Sequence, residues 1–287
     1  MPPKKKQTPK SKRKARLKFL AKRLANQQKP RLVPGLKGFL VTGVNHKKQM
    51  ITKEAFDLLN EFVEELYGPE LGNSQNAFSD EVNVGTQSVS DLQTPKSNGR
   101  LQELPTTLRG VFFFKTIVPD PMQVVTSIFE SVLKSKSRKT EFIQKLKPIT
   151  ITCKAFEDDI TQALDAFLSE YSLQEENQYL FYNIECNIRR NGRISVEHIR
   201  WLVKDSIGKF APKWYEGPNP QIVLSVDILR RMCCIGFLKK YNNFRKYNLG
   251  LINNKKSLID TVNQSYQLQH GGHLEMQSGS SNWLPMP

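Results

Sequence analysis

Three arginines fall within five residues in the run Arg189, Arg190, Asn191, Gly192, Arg193. Asn-Gly favours the positive backbone dihedrals of a tight turn, so the guanidiniums are held on a short connection where they can reach phosphate oxygens. Ser195 follows as a helix N-cap. A second basic run, KKYNNFRKYNL from Lys239 to Leu249, interleaves Lys239, Lys240, Arg245 and Lys246 with Tyr241, Phe244 and Tyr247. Cations set between aromatic rings suit phosphate contact combined with stacking on unpaired bases. Each pattern also has a plainer reading: solvated turn arginines in the first case, and in the second a Phe244 and Tyr247 packed into a core while the bases stay in water.

Residues for covalent or metal chemistry are sparser. His46 falls on a basic loop, His198 in a helical first turn, and His270 and His273 in a Gly-rich tail, where two ligands without a nearby cysteine make a poor metal site. Cys233 and Cys234 are adjacent on a strand and point to opposite faces, which fits burial better than redox work. Glu157, Asp158 and Asp159 could pass for paired carboxylates, but acids in a first helical turn complement its dipole. Neither a P-loop nor a GxGxxG pattern occurs, so no cofactor is expected on a phosphate-cradling glycine loop.

The elements that must hold these residues alternate along the chain. Gly38 to Gly43 reads as a strand, and Thr52 caps a helix with Ala55, Leu58, Leu59, Phe62, Val63 and Leu66 on one face, stopped by Gly68-Pro69. Residues 71 to 107 are polar and acidic and read as a long, disordered loop. Val111 to Ile117 is an apolar strand, and Asp120-Pro121 opens a helix carrying Val124, Val125, Ile128, Phe129, Val132 and Leu133. Lys134 to Lys147 reads as a basic connection and Ile149 to Cys153 as a short strand, followed by a helix with Phe156, Ile160, Ala163, Leu164 and Phe167 inside. Leu180 to Ile188 alternates as a half-buried strand, a Ser195-capped helix buries Val196, Ile199, Leu202, Val203 and Ile207 up to Gly208, and strands follow at Ile222 to Val226 and Cys233 to Leu238. The fold class is α/β (α+β).

Charge is unevenly placed. Of a net +16, the first 53 residues hold 17 lysines and arginines and no acid, so the rest is near balance. Residues 104 to 287 are still basic, with 24 bases against 17 acids. Residues 1 to 35 read as a disordered basic arm in which Ala15 to Ala25 could fold as a helix on RNA or on an import receptor. Four cysteines without a secretory leader point to a reducing compartment, and no apolar run is long enough to span a bilayer, so no membrane partner is expected.

The blocks TCKAF (Thr152 to Phe156), the strand ending NIRRNG, Asn219-Pro220 before a strand, and CCIGFLKKYNNFRKYNL together resemble the THUMP domain of the eukaryotic tRNA acetyltransferase adaptors, over about Gly38 to Leu249. The resemblance implies a ferredoxin-like N-terminal domain at 36 to 119, a THUMP domain at 120 to 249 and a disordered tail at 250 to 287. It also implies that Lys154 is a phosphate contact, beside Arg189, Arg190, Asn191, Arg193, Ser195, Lys239, Lys240, Phe244, Arg245 and Lys246. One departure is the Lys213 to Pro218 stretch, where the family carries Lys-Val-Asp-Leu, so Lys213 is not carried over.

By that resemblance the expected role is a noncatalytic tRNA-binding subunit. It would serve an RNA cytidine acetyltransferase making N4-acetylcytidine in the D-arm of serine and leucine tRNAs, with the enzyme supplying acetyl-CoA and ATP. Two alternatives stand beside it. A general structured-RNA-binding or ribosome-assembly protein would carry the same basic arm. A tRNA-modifying enzyme would need a catalytic domain of its own, and only 38 residues follow Leu249. The arm also suggests a nuclear, nucleolar location, with the cytoplasm as the alternative.

Overall fold

The described residues build two five-stranded sheets that share a buried seam. The computed structural model describes residues 30–44, 47–69, 97–135, 140–174 and 179–252. The basic arm before Pro30, most of the acidic loop, the segment after Ile252, and His46, His270 and His273 lie outside them.

The first unit runs β1 (Gly38–Gly43), α1 (Lys48–Tyr67), β2 (Ser97–Asn98), β3 (Leu101–Leu104), β4 (Val111–Thr116), α2 (Pro121–Ser135) and β5 (Ile143–Ile149). Its sheet is ordered β2-β3-β4-β1-β5 and is antiparallel throughout. Because side chains alternate across a strand, β1 and β4 bury both faces. Phe39, Val41, Phe112 and Phe114 meet α1 and α2, while Leu40 and Phe113 turn to the second unit, against Leu229 and Cys234. The second unit runs β6 (Ile151–Lys154), α3 (Glu157–Gln174), β7 (Leu180–Arg189), α4 (Val196–Phe210), β8 (Trp214–Glu216), β9 (Ile222–Leu229) and β10 (Met232–Lys239). Its sheet is ordered β6-β10-β9-β7-β8, with β7 parallel to both β8 and β9. Helices α3 and α4 supply the other half of that core.

Several expectations are corrected. Helix α1 begins at Lys48, a turn before Thr52, because Ile51 is already fully buried; no side chain caps it. The supposed basic connection ends in β5, and the described end of the supposed acidic loop supplies β2 and β3, with Leu101 and Leu104 in the core. The break between sheets falls at Thr150, so α2 and β5 belong to the first unit and Ile149 ends β5. Helix α4 runs through Gly208 to Phe210, where the Ala211 N–H closes on the Ile207 carbonyl at 2.8 Å. The remodelled stretch after Lys213 is an edge strand, β8.

Two carboxylate devices hold β5. The Glu54 carboxylate, on α1, accepts from the backbone N–H groups of Phe142 at 2.9 Å and Ile143 at 3.0 Å, and also from Glu141. At the seam, the Lys147 ammonium is 3 % exposed and meets Asp227 at 2.9 Å, Ser225 at 3.0 Å and Glu185 at 3.1 Å. β10 crosses β5 so closely here that a Cβ on Gly236 would lie 2.4 Å from the Pro148 carbonyl oxygen. Burial alone would push the Glu185 carboxyl up, but Lys147 and Lys145 outweigh it and hold it below its ordinary value. Burial likewise works against the Lys147 charge, yet Asp227 and Glu185 raise its affinity for the proton.

After β10 the chain returns to the first unit. Phe244 stacks on Phe129 with centroids 5.0 Å apart, and the Tyr247 hydroxyl donates to the Lys239 carbonyl at 2.7 Å. Leu249 and Ile252, in the short helix α5 (Leu249–Ile252), complete that core, so the expected tail begins inside packed structure.

Removing one member of a buried ion pair strands the others, so Lys147→Met should cost about 3–5 kcal/mol in urea unfolding. A carboxyl whose folded affinity is depressed adds stability that is complete above its unfolded pKa, about 4.3 for glutamate, and is lost as pH falls through the folded value. The variant should therefore show a flatter loss of stability between about pH 5 and 3 than the native chain. Phe244→Ala should cost about 3–5 kcal/mol by emptying core volume, whereas a side chain reserved for stacking on a base would leave the denaturation midpoint in place.

Candidate nucleic-acid interface

Three chain reversals meet at one end of the second sheet. They are the exit of β6 at Lys154 to Phe156, the exit of β7 at Arg189 to Arg193, and the two-residue turn Arg230-Arg231 between β9 and β10. Backbone bonds lash them together. The Arg230 N–H donates to the Arg189 carbonyl at 2.9 Å, and the Ala155 N–H to the Arg231 carbonyl at 2.8 Å. The Asn191 side-chain amide donates to the Arg230 carbonyl at 2.7 Å, and its oxygen accepts from the Arg193 N–H at 2.8 Å.

The first unit supplies the opposite wall through Pro30 to Leu32 and Pro105 to Thr107, and the Arg230 guanidinium reaches across to the Thr107 hydroxyl at 2.9 Å. The result is a groove of about 870 Å³ whose lining, among the described residues, includes Arg31, Arg190, Arg193, Arg230 and Arg231 and no Asp or Glu. Phe156 lines it as well, 46 % exposed, although the helical spacing assigned it to the core. Such a groove matches a polyanion: guanidiniums fork onto phosphate oxygens, and an exposed ring can stack.

Backbone conformation is costly here, as it is again at Lys240 and Arg245 to Tyr247 past β10. Arg190 and Arg230 have φ of +53° and +60°, in the left-handed region where a Cβ crowds the carbonyl. The turn was expected to place positive φ on the Asn-Gly pair, but it is Arg190 that takes it and Gly192 does not. Holding arginine where glycine would be easier is the kind of local cost found at functional sites.

The sequence-derived candidates divide into two groups. Lys154, Arg189, Arg190, Asn191, Arg193 and Ser195 gather at the groove end, though in unequal roles. Arg190 and Arg193 line the groove, Lys154 is exposed beside it, and Arg189 is half-buried. Asn191 spends its amide on the turn, and Ser195 accepts from the His198 N–H at 3.1 Å as the cap of α4. Lys239, Lys240, Phe244, Arg245 and Lys246 lie at the opposite end of β10, eight residues away, which is roughly 25 Å at about 3.4 Å per residue.

There Phe244 is 1 % exposed and cannot stack on a base, which corrects its assignment. Its ring is worth more in the core, where burial contributes about 1.5–3 kcal/mol. Lys240 is paired with Glu130 at 2.5 Å and Lys239 sits 5.6 Å over the Tyr171 ring. Arg230, Arg231 and Arg31 were missed as site residues. The signal was available for the first two, since two charged residues between alternating apolar strands mark a hairpin tip.

Cys153 and Cys233 face each other across β6 and β10; a hydrogen bond between them, together with burial, raises the Cys233 thiol well above its usual range, and burial does the same to Cys234. Such thiols are not thiolates at neutral pH. Glu157 lies 3.1 Å from the His198 ring nitrogen, and Glu157, Asp158 and Asp159 do fall in the first turn of α3. Among the described residues no cluster of three His, Cys, Asp or Glu could hold a metal, and no helix is long and apolar enough to cross a membrane.

The THUMP domain family profile matches residues 154–238, the stretch that carries β7 to β10 and both arginine turns. THUMP domain-containing protein 1 of Mus musculus is 30% identical over 253 residues, covering 83% of this chain and 71% of the mouse protein. That of Bos taurus is 28% identical over 264 residues, covering 88% and 73%. Among solved structures, a complex of a 4-thiouridine synthetase with RNA and bound ATP aligns at 12% identity with a TM-score of 0.35, over 72% of this chain and 42% of the synthetase, so this chain spans less than half of that protein. The mouse relative meets this chain across most of both lengths, and the chain belongs to the THUMP domain-containing protein 1 family.

Proposed function

We propose that this protein is a noncatalytic RNA-binding subunit that presents tRNA to an RNA cytidine acetyltransferase, supporting N4-acetylcytidine formation in the D-arm of serine and leucine tRNAs. The observation that carries the RNA-binding part is the groove lined by five arginines and, among the described residues, no carboxylate. Arg190, on a strained turn facing an open groove, gains little for the fold and much for contact with phosphate. The adaptor part draws on family membership and on the resemblance of the TCKAF and FRKYNL blocks. A nuclear, nucleolar site of action belongs to the same proposal, motivated by the 17 bases in the first 53 residues; imaging of a tagged full chain tests it, and exclusion from the nucleus would refute it.

Fixing a tRNA beside the enzyme turns a bimolecular encounter into an effectively intramolecular one. With acetyltransferase, acetyl-CoA, ATP and total tRNA, the protein should raise N4-acetylcytidine yield by about tenfold or more, read by mass spectrometry of nucleosides. Alone it should modify nothing. Modification by the purified chain would favour the enzyme reading, and tight tRNA binding without stimulation would leave general RNA binding.

Groove contacts have their own test, which separates function from fold. Glycine relieves the left-handed backbone at both positions and so offsets the loss of the Arg230–Thr107 hydrogen bond, and Arg190→Gly with Arg230→Gly should leave stability within about 1 kcal/mol of the native chain. The same pair should weaken tRNA binding and lower the magnitude of the log–log salt slope by roughly 1.5 units, at about 0.7–0.9 per phosphate contact. An unchanged slope would remove these turns from the interface.

A further inference from the structure

One large ring stays outside every apolar cluster of the fold. Trp201, on α4, is 57 % exposed and packs into none of the three cores. Its orientation is nevertheless held. The His198 imidazole, one turn earlier, stacks on it with ring centroids 5.9 Å apart and planes 18° from parallel, and the same imidazole lies 3.1 Å from the Glu157 carboxylate on α3. The Ser206 hydroxyl donates to Asp165 at 2.6 Å, a second tie between the two helices. An exposed tryptophan on a braced two-helix face is the residue type that most often anchors a protein interface.

The charge of this face is opposite to that of the groove. Helix α3 carries Glu157, Asp158, Asp159, Asp165 and Glu170 and no base. Helix α4 adds Glu197 and Asp205, and its three bases are spent within the chain: Arg200 lies 3.8 Å and Lys204 2.7 Å from Glu216, and Lys209 lies 2.6 Å from Asp205. In a chain of net +16, the two helices thus hold seven acids against three bases. A polyanion is repelled by such a face, whereas a basic protein segment is drawn to it. The face also adjoins the groove. Phe156 lines the groove and Glu157 opens α3; Arg193 lines it and Ser195 caps α4, with Trp201 six residues, about 9 Å, along the helix from that cap. We infer that the α3–α4 face docks a lysine- and arginine-bearing segment of the acetyltransferase, with Trp201 as its anchor, so that enzyme and groove-bound RNA meet at the shared helix ends. The inference rests on the adaptor reading and assigns the surface through which it works.

The test uses the full-length chain and a purified RNA cytidine acetyltransferase, without RNA, in biolayer interferometry across a potassium chloride series. Trp201→Ala should weaken the complex by about tenfold or more, the usual result of truncating an aromatic anchor. Trp201→Phe keeps a ring against His198 and should keep most of the affinity. Asp158→Asn with Asp159→Asn, at the exposed start of α3, should slow association by about threefold and make the complex less sensitive to salt. None of these variants touches the groove, so tRNA affinity and the urea midpoint should stay at their native values, while N4-acetylcytidine yield at limiting acetyltransferase should fall with Trp201→Ala and with the paired asparagine substitutions.

Equal binding of the acetyltransferase by the native chain and by Trp201→Ala would overturn the inference and leave the adaptor reading in place. An acetyltransferase that does not bind the native chain, with or without tRNA, would remove the adaptor reading and the inference together. A loss of tRNA affinity in Trp201→Ala would make the face an RNA contact. A native dimer that Trp201→Ala splits in sedimentation would make it a contact between copies of this chain, and either result overturns the docking assignment.

Discussion

A single buried ammonium sets how the two sheets meet. Lys147 must find three oxygens or lose its charge, and those oxygens sit on β7 and β9 of the other unit. An isolated charge in that setting would be far costlier than the contacts around it, so the seam has one register in which Asp227, Ser225 and Glu185 all reach it. Gly236 permits the close crossing, and Leu40, Phe113 and Cys234 close the apolar part of the same interface. The groove is a product of this register, because one wall comes from each unit.

The same residue types serve opposite ends in the two basic regions. At the groove, arginines are displayed on turns whose backbone bonds are satisfied locally, so their side chains line the groove, Arg230 bridging it to Thr107. Past β10, the aromatic residues among the lysines are consumed by the core of the first unit, around Phe129. Alternation of cation and ring does not by itself distinguish these outcomes. What separates them is whether a neighbouring surface lacks apolar cover, and the exposed end of α2 and β5 does lack it until the C-terminal segment arrives.

Elements with strong periodicity were legible: β1, α2, β7, β9 and β10 follow from spacing alone, and so does the cap at Ser195. β5 was not, because Lys145 and Lys147 read as surface charge when their partners lie tens of residues away. β2 and β3 were obscured by the polar run before them, and β8 by its three-residue length. At the site, Arg190 and Arg193 were visible as a cluster, whereas Arg31, 158 residues before Arg189 in sequence, joins them only through the fold. Phe156 and Phe244 exchanged places relative to expectation: one leaves the helix stripe for the groove, and the other leaves the supposed interface for the core.

Because Phe244, Tyr247, Leu249 and Ile252 belong to the core that begins with Phe39, the first unit is bracketed by the ends of the described chain while the second is a continuous stretch between them. A ribosome making this protein emits β6 to β10 before it emits the last pieces of the core opened by β1. Multidomain chains tend to fold in order of emergence, whereas the core opened by β1 has its last residues after β10. The inserted unit can complete its own core first, and the N-terminal half waits, with Phe129 uncovered, for the short segment after β10 to close it.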